Sequence, residues 1–205
     1  MKKVKILLSL LLLIVFVSSF SESKTFNLNS KNVHFYKSSV PSEDESNSES
    51  INIPFTGNSF NGFREAVGFK ESQGKYETVN TLGYLGKYQF GKSTLERFKI
   101  YNTTTFLNNP ELQEEAFVAL CSLNKWILRK DIKRSVGKKI NGVEITESGI
   151  LAAAHLAGAG NVKKYLRSYG QNTFKDAYGS SLQHYLKEFS GFDTSFIEAN
   201  QKPVV

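Results

Sequence analysis

The chain is short of several residue types on which whole classes of chemistry depend. A single cysteine, Cys121, excludes an internal disulfide framework and any Cys-x-x-Cys metal or redox motif. Three histidines, at positions 34, 155 and 184, argue against a dedicated zinc site. Four prolines in 205 residues exclude a proline-rich stalk. His-Glu-x-x-His, Gly-x-Gly-x-x-Gly and Gly-x-Ser-x-Gly are all missing, which removes zinc peptidases, Rossmann dinucleotide enzymes and α/β-hydrolases. A composition of 40% hydrophobic and 22% charged residues is that of a chain with one folded domain and an appendage, not of a disordered or polytopic protein.

The appendage is at the N-terminus. Lys2, Lys3 and Lys5 precede twelve residues, Ile6 to Val17, that are apolar except for Ser9. Twelve is short of the roughly 20 residues a spanning helix needs. It suits the apolar core of a secretory signal, with Ser18, Ser19 and Ser21 where a signal peptidase would cut. Residues 1–21 are therefore read as a signal peptide, with an uncleaved anchor as the alternative. Residues 22–54 are rich in Ser, Asn and Glu, and Ser42–Ser50 holds no apolar side chain. Such a stretch cannot bury enough surface to offset its ordering entropy and is read as a flexible linker. From residue 51 onward there are 20 basic against 14 acidic residues. A basic domain suits an anionic polymer, and the export signal favours the cell wall over nucleic acid. The basic residues are also scattered, without the Arg/Lys clustering of a nucleic-acid face.

Residues 55–197 carry helical periodicity. Phe63, Ala66, Val67 and Lys70/Glu71 trace one face. Ser93–Glu96 has capping-box form and predicts a helix running through Phe98. Asn109-Pro110 predicts the start of a long helix with Leu112, Ala116, Leu120, Leu123 and Ile127 toward the core. Asn141-Gly142 predicts a hairpin turn. Thr146 caps a small-residue helix ended by Gly158 and Gly160, and short helices follow near Val162–Arg167 and Leu182–Phe189. The tail after Phe196 is expected to fray. The fold class is mainly α with a small β-hairpin.

Three segments stand out chemically. Glu71 closes an apolar stripe and is followed by the helix-stopping Ser72-Gln73-Gly74. Partial desolvation at such a place favours the neutral form of a carboxyl, the form a general acid needs for glycosidic cleavage; a solvated rim glutamate is the plainer reading. Gly83–Phe90 alternates glycines with aromatics: Tyr84 and Tyr88 offer flat faces with hydroxyl tips, and Gln89 both donates and accepts. The plainer reading there is a glycine loop with core aromatics. Ala152–Gly160 is a run of small residues around His155, where a satisfied core histidine is the plainer reading and a site residue the sharper one.

In order along the chain, these segments resemble the motifs of lytic transglycosylases of the lysozyme-like superfamily, the soluble type related to goose-type lysozyme. Glu71-Ser72-Gln73-Gly74 matches the family's Glu-Ser-x-Gly. Gly83, Gly86 and Gln89 match Gly-x-x-Gly-x-x-Gln, and Ala154–Gly158 matches Ala-Tyr-Asn-Ala-Gly with His155 and Leu156 substituted. The resemblance spans about Phe60 to Phe192. It implies a lysozyme-like helical domain that cleaves the bond between N-acetylmuramic acid and N-acetylglucosamine in peptidoglycan. Glu71 would act as acid and then base, with Ser72, Tyr84, Tyr88, Gln89, His155 and a late tyrosine, Tyr185, against the glycan or orienting Glu71. It implies no cofactor and no essential metal, and a place in the periplasm or cell envelope with a loose envelope association. A water-activating hydrolase would need a second carboxylate, for which Glu77, Glu144, Glu147 and Asp176 are available. A wall-binding module without catalysis is the other alternative: the retained Glu71 argues against it, and the altered His155-Leu156 argues for it.

Overall fold

The computed structural model describes residues 57–205; the expected leader over 1–21 and linker over 22–54 lie outside the described residues. The described part is mainly helical. Its elements run α1 Phe60–Ser72, α2 Lys92–Arg97, α3 Thr103–Leu107, α4 Pro110–Ser135, β1 Lys139–Ile140, β2 Val143–Glu144, α5 Glu147–Arg167 and α6 Leu182–Glu188. The two strands form an antiparallel hairpin that pairs Ile140 with Val143. Asn141 and Gly142 both take positive φ, 49° and 78°, which is the tight turn that Asn-Gly favours. No helix among the described residues is long and apolar enough to cross a membrane.

Side-chain caps start most helices where the sequence places them. Asn109 accepts from the Leu112 N–H with Pro110 at the first helical position, and Thr146 accepts from the Gly149 N–H. Ser59 caps α1 and Ser181 caps α6 in the same way. Ser93 does not cap α2. The cap is Gly91, without a side-chain bond, and it lies under the Tyr84 ring: a Cβ there would stand 3.3 Å from Tyr84 Cε1. The short α3, capped by Asn102, carries too few residues for periodicity to reveal it.

The core-facing stripe of α4 is offset from the expected one. Ala116 and Leu123 are buried as expected, but Leu112, Leu120 and Ile127 are only partly buried, whereas Gln113, Phe117, Cys121, Asn124, Leu128 and Asp131 are buried. Three polar residues sit on this buried face, so apolar counting misplaces its centre. Asp131 accepts from Arg167 Nε at 2.9 Å, a partner on α5, and also pairs with Arg134 one turn on along its own helix. Helix α5 packs between α4 and α6, with Ile150 to Ala153 fully buried. Gly149 permits the close approach, since a Cβ there would lie 2.5 Å from the Leu186 carbonyl oxygen. Gly158 breaks the helix at φ 76°, ψ 149°, but Gly160 does not end it. The chain resumes helical form to Arg167, and Asn161 Nδ2 donates to the carbonyl of Ala157 that the break exposes.

The tail after Phe196 does not fray. Ser122 on α4 donates to the Glu198 carbonyl, and the Asn200 N–H donates to the Ser122 carbonyl. Val205 packs beside Phe98, Ala119 and Leu123. The ordered fold thus extends past the expected boundary at 197, because the tail's backbone groups find partners on the long helix.

Candidate active site

Glu71 ends α1 and faces a cavity of about 120 Å³. Gln73 takes the left-handed conformation immediately after it, and the Gly74 N–H returns to the Gly68 carbonyl, so the helix stops with the carboxyl at its rim. Two loops wall the cavity. The loop between α1 and α2 contributes Asn80, Leu82, Tyr84 and Gln89; the loop between α5 and α6 contributes Asp176, Ala177 and Tyr178. A hydrogen bond of 2.7 Å between the hydroxyls of Thr81 and Tyr178 joins the two loops. Leu82, Tyr84, Gln89, His155 and Leu156 also line a larger groove of about 810 Å³, so the small cavity opens into an extended one.

The structure brings Glu71, Tyr84, Gln89 and His155 together on this surface. Tyr185 is 2% exposed and donates its hydroxyl to Glu71 Oε1 at 2.9 Å. Burial, and then the adjacent Glu71 charge, push the Tyr185 phenol up, so it remains a donor. Tyr185 therefore orients the carboxyl and is not a surface for sugar. Two of the expected contact residues are elsewhere. Tyr88 is completely buried, stacked on Phe117 with ring centroids 4.1 Å apart, and donates to Glu114 Oε2 at 2.6 Å. The Ser72 hydroxyl donates to the Lys87 carbonyl at 2.8 Å and accepts from the Lys75 N–H at 3.0 Å. It fastens the end of α1 to the loop that carries Gln89, and this explains why a serine follows Glu71 better than a sugar contact does.

That loop is held from beneath. Gly86 has φ 74°, and a Cβ on it would stand 2.1 Å from Gln113 Oε1. The backbone approaches closely enough for Gln113 Oε1 to accept the Lys87 N–H at 2.9 Å, while Gln113 Nε2 donates to the carbonyls of Phe106 and Tyr76. Gln89, at φ 49°, donates back to the Gly86 carbonyl and turns toward the cavity. Lys87 points the other way. It is 2% exposed and donates 2.8 Å bonds to Glu114 Oε1 and Glu65 Oε1, beside the hydroxyl of Tyr76. Arg64 Nε lies 3.0 Å from the second Glu114 oxygen. Burial alone would push the Glu114 carboxyl up, but the hydrogen bonds from Lys87, Tyr88 and Tyr76 hold it below its ordinary value. Neither Glu114 nor Gln113 was a candidate from sequence; the one available signal was a lysine in the otherwise uncharged run Gly83–Phe90.

Residues 86–93 also spell Gly-x-x-x-x-Gly-Lys-Ser, the phosphate-loop pattern, which sequence reasoning missed. The context does not fit it. No parallel sheet exists among the described residues, α2 is six residues long, and the N–H groups of Gly86, Lys87, Gln89 and Phe90 are all bonded to protein acceptors.

His155 Nε2 lies 2.7 Å from the Tyr88 carbonyl, an acceptor, so the proton is on Nε2. Its Nδ1 is buried without a hydrogen-bond partner among the described residues. Of the four carboxylates considered as a second catalytic group, Glu77 and Glu144 are exposed away from the cavity, and Glu147 pairs with Lys125 at 2.7 Å. Asp176 alone shares the cavity of Glu71; its Oδ1 accepts the N–H groups of Tyr178 and Ser180. Among the described residues no group of three or more His, Cys, Asp or Glu side chains could hold a metal. No family model matches the chain, and no curated protein or solved structure does either.

Proposed function

We propose that this chain is an exported lytic transglycosylase of lysozyme-like fold that cleaves peptidoglycan between N-acetylmuramic acid and N-acetylglucosamine. The observation that carries this reading is a helix-end carboxyl, Glu71, held by the buried Tyr185 hydroxyl and facing a cavity that opens into a long groove. The Glu71 proton passes to the glycosidic oxygen as that bond breaks. The resulting carboxylate takes the proton of the muramic C6 hydroxyl, whose oxygen closes on C1 to form an internal anhydro ring. The carboxyl is restored and no water is consumed. Tyr84 and Gln89 line the sugar path, and the substituted His155-Leu156 closes its floor. The lysine-led apolar N-terminus and the basic domain support a place in the periplasm or cell envelope.

Asp176 favours a second reading, a lysozyme-type hydrolase that activates water on the opposite face of the sugar. Its Oδ1 is already committed to the backbone of its own turn, which favours the transglycosylase. Incubation with peptidoglycan and mass analysis of the fragments separates the readings. Anhydro ends, lighter by one water, support the transglycosylase; hydrated reducing ends support the hydrolase; no fragments refute both.

A further inference from the structure

The basic residues gather at one end of the domain. Residues 129–139 and 161–169 hold nine Lys and Arg and one carboxylate, Asp131, whereas the other 11 cations among the described residues face 13 carboxylates. The net positive charge of the domain therefore belongs to this end, and the expectation of scattered basic residues does not hold here. Asp131 draws the two segments together, since it pairs with Arg134 on α4 and with Arg167 on α5. Lys130 lies one turn before Arg134, and Lys163 and Lys164 one turn before Arg167, so both rows flank the same bridge. Arg134, Lys138 and Arg167 also line a cleft of about 370 Å³, with Asp131 as its one carboxylate among the described residues. Glu144 stands opposite Lys139 in the hairpin and offsets that one cation. The field at a helix C-terminus favours cations over the last turn only. It accounts for Lys133 and Arg134 on α4, but not for Arg129, Lys130 or Lys138.

Apolar surface accompanies this charge. Val136, 46% exposed, follows the end of α4, and Tyr169, 68% exposed, lines the cleft. The geometry points to this end of the domain as a docking surface for an anionic lipid bilayer. The cations meet the phosphate headgroups. Tyr169 and Val136 meet the boundary between headgroups and acyl chains, where a ring with a hydroxyl tip is favoured. A polyanion without an acyl layer would engage the cations and give Val136 nothing to bury. Among the described residues the cleft shares none with the Glu71 cavity or the groove it opens into. Docking and glycan cleavage thus do not compete for the same side chains, and the inference stands apart from the glycan-cleaving reading.

The test is flotation of the full chain with two kinds of vesicle, pure phosphatidylcholine and an equimolar mixture of phosphatidylcholine and phosphatidylglycerol. At low salt the chain should float with the anionic vesicles in preference to the neutral ones, and the preference should shrink with added salt. Lys130→Glu/Lys138→Glu/Lys164→Glu reverses three exposed charges of the surface. At roughly fivefold per cation near a membrane, it should weaken binding to the anionic vesicles by about 100-fold or more. Lys75→Glu/Lys99→Glu/Lys202→Glu makes the same change in net charge at exposed positions elsewhere and should weaken binding far less. Circular dichroism checks that both variants keep the fold. Equal binding to the two kinds of vesicle, no binding to either, or an equal effect of the two triple variants overturns the docking surface. A labelled single-stranded DNA oligonucleotide is titrated in parallel. A hold on DNA that needs Lys130, Lys138 and Lys164, with none on the vesicles, would assign the surface to nucleic acid and overturn the lipid assignment.

Discussion

Tyr185 donates its hydroxyl to Glu71 Oε1 at 2.9 Å across 114 residues of chain. The contact holds the carboxyl at the end of α1 from the buried side of α6, leaving Glu71 to face the cavity. Tyr185→Phe removes the bond and keeps the ring that packs 5.1 Å from Phe189. A hydrogen bond to a charged group is worth roughly 1.5–3 kcal/mol, so kcat should fall on the order of tenfold. KM should hold steady, because Tyr185 is outside the groove. A matched rise in KM with unchanged kcat would show instead that Tyr185 binds sugar.

Glu71→Gln preserves size and the acceptor for Tyr185 but cannot carry a proton. General acid–base catalysis contributes roughly 10²–10⁴-fold, so fragment release from peptidoglycan should drop by that order while the circular dichroism spectrum is unchanged. Glu77→Gln, exposed and away from the cavity, should leave the rate within about twofold. Full activity in Glu71→Gln would remove Glu71 from the chemistry.

Asp176→Asn separates the two catalytic readings. The amide still accepts the Tyr178 and Ser180 N–H bonds through its oxygen, so the turn survives. A transglycosylase keeps its rate within a few-fold and continues to make anhydro ends. A hydrolase that relies on Asp176 as base would lose roughly 10²-fold or more, and its wild-type fragments would carry hydrated ends.

The Lys87–Glu114 pair should make stability depend on pH with a defined sign. Bonds from Lys87, Tyr88 and Tyr76 outweigh burial and depress the Glu114 pKa below its ordinary 4.5. Its stabilisation is therefore complete above about that value and is lost as pH falls through the lower, folded one. The Lys87 pKa is raised above its ordinary 10.5: burial opposes the charge, but the bonds it donates to Glu114 and Glu65 prevail. Its contribution is lost as pH rises through the folded value. Urea melts of Glu114→Gln should show a shallower decline on acidification than the wild type. Lys87→Met removes one of the two cations on Glu114 and leaves Arg64 and the hydroxyls of Tyr76 and Tyr88 against it, so the loss at neutral pH should be about 1.5–3 kcal/mol, the worth of a hydrogen bond to a charged group.

Gly86→Ala tests the loop that carries Gln89. The left-handed backbone costs an L-residue roughly 1–2 kcal/mol. The new methyl would also meet Gln113 Oε1 at 2.1 Å and displace the acceptor of the Lys87 N–H. Denaturant melts should show a loss above about 2 kcal/mol. Gly83→Ala, at φ 80° with open space around it, should lose only the conformational part.

Local signals were sufficient where the physics is local. Asn109-Pro110, Thr146 and Asn141-Gly142 act within three or four residues, so caps and a turn could be placed from the chain alone. The mainly helical character followed from periodicity, and Glu71, Tyr84, Gln89 and His155 could be named because each lies in a short motif. Tertiary structure decided the rest. It turned Tyr88 into the core and Ser72 onto the Lys87 carbonyl. It also placed Gln113, Asn124 and Asp131 on the buried face of α4 and drew Asp176 to Glu71. Periodicity reports which face is apolar, but it does not register a buried polar group whose partners are tens of residues away. The contact between Tyr185 and Glu71 is of that kind: the bond exists only once α6 packs beneath the end of α1, and no spacing along the chain encodes it.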